Sequence, residues 1–134
     1  MPISDKYLAF EQYLLPILLD NTATAHRISS RIFNRYGIVS FICGKRRFSD
    51  MFDISSQTLK LPDTTEERLI AEELIALSEK YSDMLGVLIP CSEKAEAITT
   101  EFSDELEARY IIVDPSIFNS ESPIEYLERS LEIL

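Results

Sequence analysis

Short apolar runs alternate with amphipathic stretches along this chain, the pattern expected of βαβ units. The first run is Leu14 to Leu19. Pro16 has no N–H to give a ladder, which predicts a place at the start of that strand. Asp20, Asn21 and Thr22 then offer capping side chains. Beyond them Ala25, Ile28, Ile32 and Tyr36 fall on one face at helical spacing, and Gly37 supplies a stop. A second strand, Ile38 to Cys43, is continuous and rich in β-branched and aromatic residues, and it ends at Gly44.

Residues 45–57 read as a loop with one short turn of helix, followed by a third strand at Thr58 to Leu61. A long helix is expected over Thr64 to Ser82, capped by Asp63 or Thr64 with Glu66 or Glu67 in the reciprocal position. Its buried stripe is Leu69, Ile70, Ala71, Leu74, Ile75, Leu77 and Tyr81. The fourth strand, Met84 to Ile89, is apolar on both faces, as an interior parallel strand should be. Ser92 caps a short helix running to about Thr100, Ser103 caps another turn, and Tyr110 to Val113 is a fifth strand. Ser122-Pro123-Ile124-Glu125 has the form of a capping box and opens a terminal helix over about 123–134.

Right-handed crossovers turn this order into an α/β fold: an open, parallel, Rossmann-like sheet of about five strands, with helices on both faces and strand order 3-2-1-4-5. The expected organisation is one domain over 1–134, with its core at about 14–115. In such sheets ligands bind beyond the carboxyl ends of the strands, at the switch point between strands 1 and 4. That rule selects three loops: Asp20-Asn21-Thr22, Gly44-Lys45-Arg46-Arg47 and Pro90-Cys91-Ser92-Glu93.

Composition narrows the classes. With 46% apolar and 27% charged residues the chain is globular rather than disordered. A net charge of −10 argues against non-specific nucleic-acid binding and against an anionic membrane surface. Cys43 and Cys91 lack metal-type spacing and suggest a reducing compartment. The opening MPISDKYLAFEQ carries two acids and no long apolar core, so it does not read as a signal peptide. No apolar run approaches the ~20 residues that span a bilayer. A cytoplasmic protein is the expectation.

The candidate chemistry is sparse. The first βα turn reads LLDNTATA, without the glycines that bring a pyrophosphate to a helix N-terminus, and no Walker A pattern occurs. A receiver-domain reading fails as well, because its strand 3 would end in Leu61-Pro62 and its strand 5 in Val113-Asp114-Pro115. Lys45, Arg46 and Arg47 form a basic cluster that can meet a phosphate or carboxylate, or simply lie in solvent. Asp20 and Glu93 place carboxylates at the switch point, where they can orient an amine or cation; Asp20 and Ser92 also serve as plain helix caps. The single histidine, His26, follows core-facing Ala25 and reads as a boundary residue with no partner named by the sequence. Cys91, ahead of a helix N-terminus, is a weak candidate for a lowered thiol pKa.

The segments PILLDNTATAHRISSRIFNRYGIVSFICGK and LGVLIPCSEKAEAITTEFSDELEARYIIVDP resemble the domain that precedes the ATP-grasp fold in carboxylate–amine ligases of the D-aspartate ligase type. In that family a PVILG strand leads into a helix ending YGI and a strand ending GK, and a later LIPC strand is followed by an acidic residue. This chain matches with Pro16-Ile17-Leu18, Tyr36-Gly37-Ile38, Gly44-Lys45, Leu88-Ile89-Pro90-Cys91 and Glu93. Leu19 or Asp20 stands where the family has glycine after strand 1.

The resemblance implies a substrate-side domain that packs against ATP-grasp lobes, of the same or another chain, and does no chemistry alone. ATP and magnesium would be held by those lobes, whose lysines and acids residues 116–134 do not supply. Asp20, Asn21, Thr22, Lys45, Ser92 and Glu93 would orient an amino acid or carboxylate ligand. The alternative is a stand-alone binding or oligomerisation module, a homo-oligomer joined through helix faces, that kept this fold without the ligase.

Overall fold

The computed structural model describes residues 14–45, 53–61 and 66–116. The strands are β1 (Leu14–Leu19), β2 (Ser40–Cys43), β3 (Ser56–Leu59), β4 (Leu85–Pro90) and β5 (Ile111–Ile112). They form one sheet in the order β3-β2-β1-β4-β5, with every pairing parallel. The helices are α1 (Ala23–Tyr36), α2 (Glu67–Lys80), α3 (Glu93–Glu101) and α4 (Ser103–Glu107). The expected α/β class and strand order are therefore present.

β1 lies at the centre and is buried along its whole length. Its side chains alternate between two cores, as the period of two requires. Leu14 and Leu18 pack with Ala25, Ile28, Ile32 and Tyr36 of α1. Leu15, Ile17 and Leu19 pack on the opposite face with Ile70, Leu74 and Leu77 of α2, Ala95 and Ile98 of α3, and Leu106 of α4. Each fully buried Leu or Ile contributes roughly 1.5–3 kcal/mol, so this strand dominates the stability of the sheet.

Pro16 is not at the strand's start; it is the third residue of the central strand and pairs with Val87. The Asp20 N–H donates to Cys43 O, so by alternation the nitrogen of residue 16 also faces β2. Pairing with β2 begins only at Ile17 with Phe41. The missing donor thus falls where no ladder bond is required.

The expected third strand is displaced by two residues, to Ser56–Leu59, because its register follows β2: Ser40 pairs with Ser56 and Cys43 with Leu59. β2 in turn starts at Ser40, level with the start of β3 at Ser56, leaving Ile38 as a packed residue before it and Val39 exposed. Ser103 does not cap α4; it is the first helical residue, and Phe102 holds the cap position without a side-chain bond. The stop at Gly37 is present, with its N–H donating to Phe33 O at 2.7 Å. The expected caps Asp63 and Thr64 and the terminal helix over 123–134 lie outside the described residues. Among the described residues, no helix is long and apolar enough to cross a membrane.

Tyr110 fastens β5 to the opposite layer by donating its hydroxyl to Leu74 O at 2.6 Å within the core. Burial pushes its phenol further above the usual range, so it stays a donor. The ring lies on Gly86 of β4, where a Cβ would stand 2.7 Å from Tyr110 Cδ1. Gly86→Ala is therefore expected to lower stability by roughly 1–3 kcal/mol, read as a reduced urea midpoint at unchanged slope.

Candidate functional site at the carboxyl edge of the sheet

Register puts the three predicted loops side by side. Leu19 pairs with Cys43 on one side and with Pro90 on the other, so Asp20, Gly44 and Cys91 stand level at the carboxyl ends of β1, β2 and β4 respectively. Side-chain hydrogen bonds then tie the loops together. Thr22 accepts from Ala25 N–H at 3.2 Å, which caps α1, and donates its hydroxyl to Cys91 O at 3.0 Å. Asn21 donates from Nδ2 to Lys45 O at 2.9 Å. Gly44 permits that approach, since a Cβ there would lie 3.0 Å from Asn21 N.

Asp20 carries the unusual backbone. Its φ is +86°, the sole positive value among described residues other than glycine. Asp tolerates this region better than most side chains, and its Oδ1 accepts from Asn21 N–H at 2.9 Å. Ser92 caps α3 by accepting from Ala95 N–H at 3.0 Å. Glu93, the first helical residue of α3, is exposed, as is Lys45. The side chains of Asn21, Thr22 and Ser92 thus hold the fold, while Asp20, Lys45 and Glu93 bring charge to the same edge.

Both cysteines are free and buried. Burial, with the Asp20 carboxylate nearby, pushes the Cys91 thiol up to about 12. Burial, with Cys91 nearby, does the same to Cys43. A reactive thiol needs the opposite shift.

Sequence reading missed the partner of His26. Its Nδ1 lies 2.5 Å from Asp53 Oδ2 and its Nε2 lies 2.9 Å from Asn21 Oδ1. Asp53 also accepts from Ser55 N–H at 2.8 Å, from the Ser55 hydroxyl at 2.5 Å and from the Ser56 hydroxyl at 2.9 Å. Partial burial opposes ionisation of Asp53, but the bonds from Ser55, His26 and Ser56 outweigh it and bring the carboxyl down to about 2. The local signal was present in Asp53-Ile54-Ser55-Ser56, a side-chain-capped turn leading into β3. The contact with His26 spans 27 positions and has no local signature.

No family model, no curated protein and no solved structure matches the chain.

Two outcomes follow from this geometry. Thr22→Val removes the α1 cap and the bridge to Cys91 O together, and is expected to cost roughly 1–2 kcal/mol in chemical denaturation. Asp53 has a folded value near 2 against an ordinary 3.8. Its stabilisation is complete above the ordinary value and disappears as pH falls from about 4 through about 2. Acid unfolding of Asp53→Asn should accordingly be flatter than wild type across that window.

Proposed function

We propose that this chain is the substrate-side domain of an ATP-dependent carboxylate–amine ligase, of the kind that precedes an ATP-grasp fold. In this reading it orients an amino acid or carboxylate at the edge formed by Asp20–Thr22, Lys45 and Ser92–Glu93. Phosphoryl transfer belongs to ATP-grasp lobes, in the same polypeptide or another. Those lobes would supply the nucleotide and magnesium chemistry.

The observation that carries the reading is the backbone of Asp20. The resemblance sets a glycine just after strand 1, and in this structure Asp20 occupies that place with a φ of +86°, a conformation at home in glycine. The sheet order supports it too, because Asp20 and Glu93 follow β1 and β4, the strands flanking the switch point where open α/β sheets bind ligands, and Lys45 follows the adjacent β2. Lys45 suits a carboxylate; Asp20 and Glu93 suit an ammonium. A zwitterion meets both demands.

A second reading, a stand-alone binding or assembly module, draws on a different observation. Asn21, Thr22 and Ser92 spend their side chains on the protein's own backbone and on His26. An edge built that way can serve as scaffold without a small-molecule ligand.

An NMR titration separates them. Free amino acids and dicarboxylates should move the backbone amides of Asn21, Thr22, Lys45, Ser92 and Glu93. Lys45→Ala or Glu93→Gln should weaken that binding about tenfold, as expected for loss of one charge-assisted bond. Saturation with no shift at this edge, combined with self-association in light scattering, favours the module. ATP hydrolysis or ligation by the isolated 134-residue chain would overturn the ligase-domain reading outright.

A further inference from the structure

We propose that Asp53, His26 and Asn21 form a proton-dependent clasp that holds the loop after β1 against the loop after β2. The inference concerns how this edge is kept closed and stands whichever ligand the edge takes.

The argument is one of donors and acceptors. Asp53 receives bonds from Ser55 N–H and from the hydroxyls of Ser55 and Ser56, and its carboxyl is held ionised. It can therefore only accept from His26 Nδ1, 2.5 Å away. On the other side of the ring the orientation of the Asn21 amide is set by its second bond: Nδ2 donates to Lys45 O, which leaves Oδ1 facing His26 Nε2 at 2.9 Å. Both ring nitrogens thus meet oxygen acceptors. Only the imidazolium form, with two N–H groups, satisfies both.

Removing one proton breaks the arrangement in a defined order. The bond to the Asp53 carboxylate is charge-assisted and the shorter of the two, so Nδ1 keeps its hydrogen and Nε2 releases the proton to solvent. The His26 side chain is 22% exposed, enough to pass it. A bare Nε2 then faces Asn21 Oδ1, lone pair against lone pair. Turning the Asn21 amide over repairs that contact but places Oδ1 against the Lys45 carbonyl. The bond between the β1 and β2 loops is lost. Loss of a proton at His26 is in this way transmitted to Lys45.

Among the described residues, the charged groups on the segments around the ring are Asp53 before β3, Asp20 beside Asn21, Lys45 after β2, and Arg27 and Arg31 on α1. Asp53 contacts the ring through a carboxylate oxygen.

His26 is the chain's only histidine, so its ring signals are unambiguous. The test is a pH titration of the full 15N-labelled chain. It reads the two ring nitrogens, the Asn21 side-chain amide and the Lys45 backbone amide. The expected result is a doubly protonated ring on the acid side, loss of the proton from Nε2, and Asn21 and Lys45 signals that move with the ring's midpoint. Asp53→Asn should remove the acceptor at Nδ1 and change the coupling between the ring and loop signals, and His26→Gln should abolish the loop transition. Asn21 and Lys45 signals that stay flat through the ring's titration, or a ring carrying a single proton while the loops are joined, would overturn the clasp. Both readings come from the wild-type chain, so the proposal remains testable even if a variant fails to fold.

Discussion

The double burial of β1 is the constraint from which the rest of the structure follows. Its aliphatic side chains fill two cores at once, and both of its edges are paired. A slip of one residue against either neighbour would exchange the two faces and empty both cores of their partners. Register is therefore fixed tightly, and with it the level at which β2, β1 and β4 end. The loops that follow inherit their closeness from this hydrophobic decision, before any polar contact forms. The hydrogen bonds from Thr22 to Cys91 O and from Asn21 to Lys45 O refine a juxtaposition that Leu14–Leu19 has already imposed.

Polar chemistry at that edge divides by side-chain length. The short side chains of Asn21, Thr22 and Ser92 are spent on helix ends and on the neighbouring loops, at Lys45 O and Cys91 O. The charges of Lys45 and Glu93 stand in water at the same rim. On the ligase-domain reading, recognition at such an edge would be governed by the placement of opposite charges. The pushed-up thiols of Cys43 and Cys91 reinforce this view, since burial has made them part of the wall rather than reagents.

Sequence made the interior of the fold legible and its margins less so. β1 and β4 are continuous apolar runs that nothing but burial on both faces explains, and α1 shows its buried stripe at Ala25, Ile28, Ile32 and Tyr36. The edge strand β3 is half polar, so its ends are set by pairing with β2 and by the Asp53 turn rather than by apolar pattern. Pro16 misled because the rule against proline in central strands assumes a ladder on both sides; here the β2 ladder begins one residue later. Three of the loops' positions followed from topology alone, whereas the bonds inside them did not. The His26–Asp53 contact depends on a loop closing over a helix, information that resides in the assembled fold.

Asp20 shows how a departure from a local rule can be informative. An L-residue with a side chain at φ +86° is strained, by roughly 1–3 kcal/mol for positions of this kind. Glycine would relieve that strain. What Asp supplies instead is an acceptor for Asn21 N–H and a carboxylate at the sheet's switch point, close enough to Cys91 to oppose ionisation of its thiol. The bond to Asn21 N–H holds the backbone of the first residue of the clasp, whose side-chain amide is oriented by Lys45 O. On the ligase-domain reading, exchanging glycine for Asp replaces close backbone approach with charge. On that reading it would favour the ammonium end of a ligand, at the same edge of the sheet from which Lys45 would meet a carboxylate.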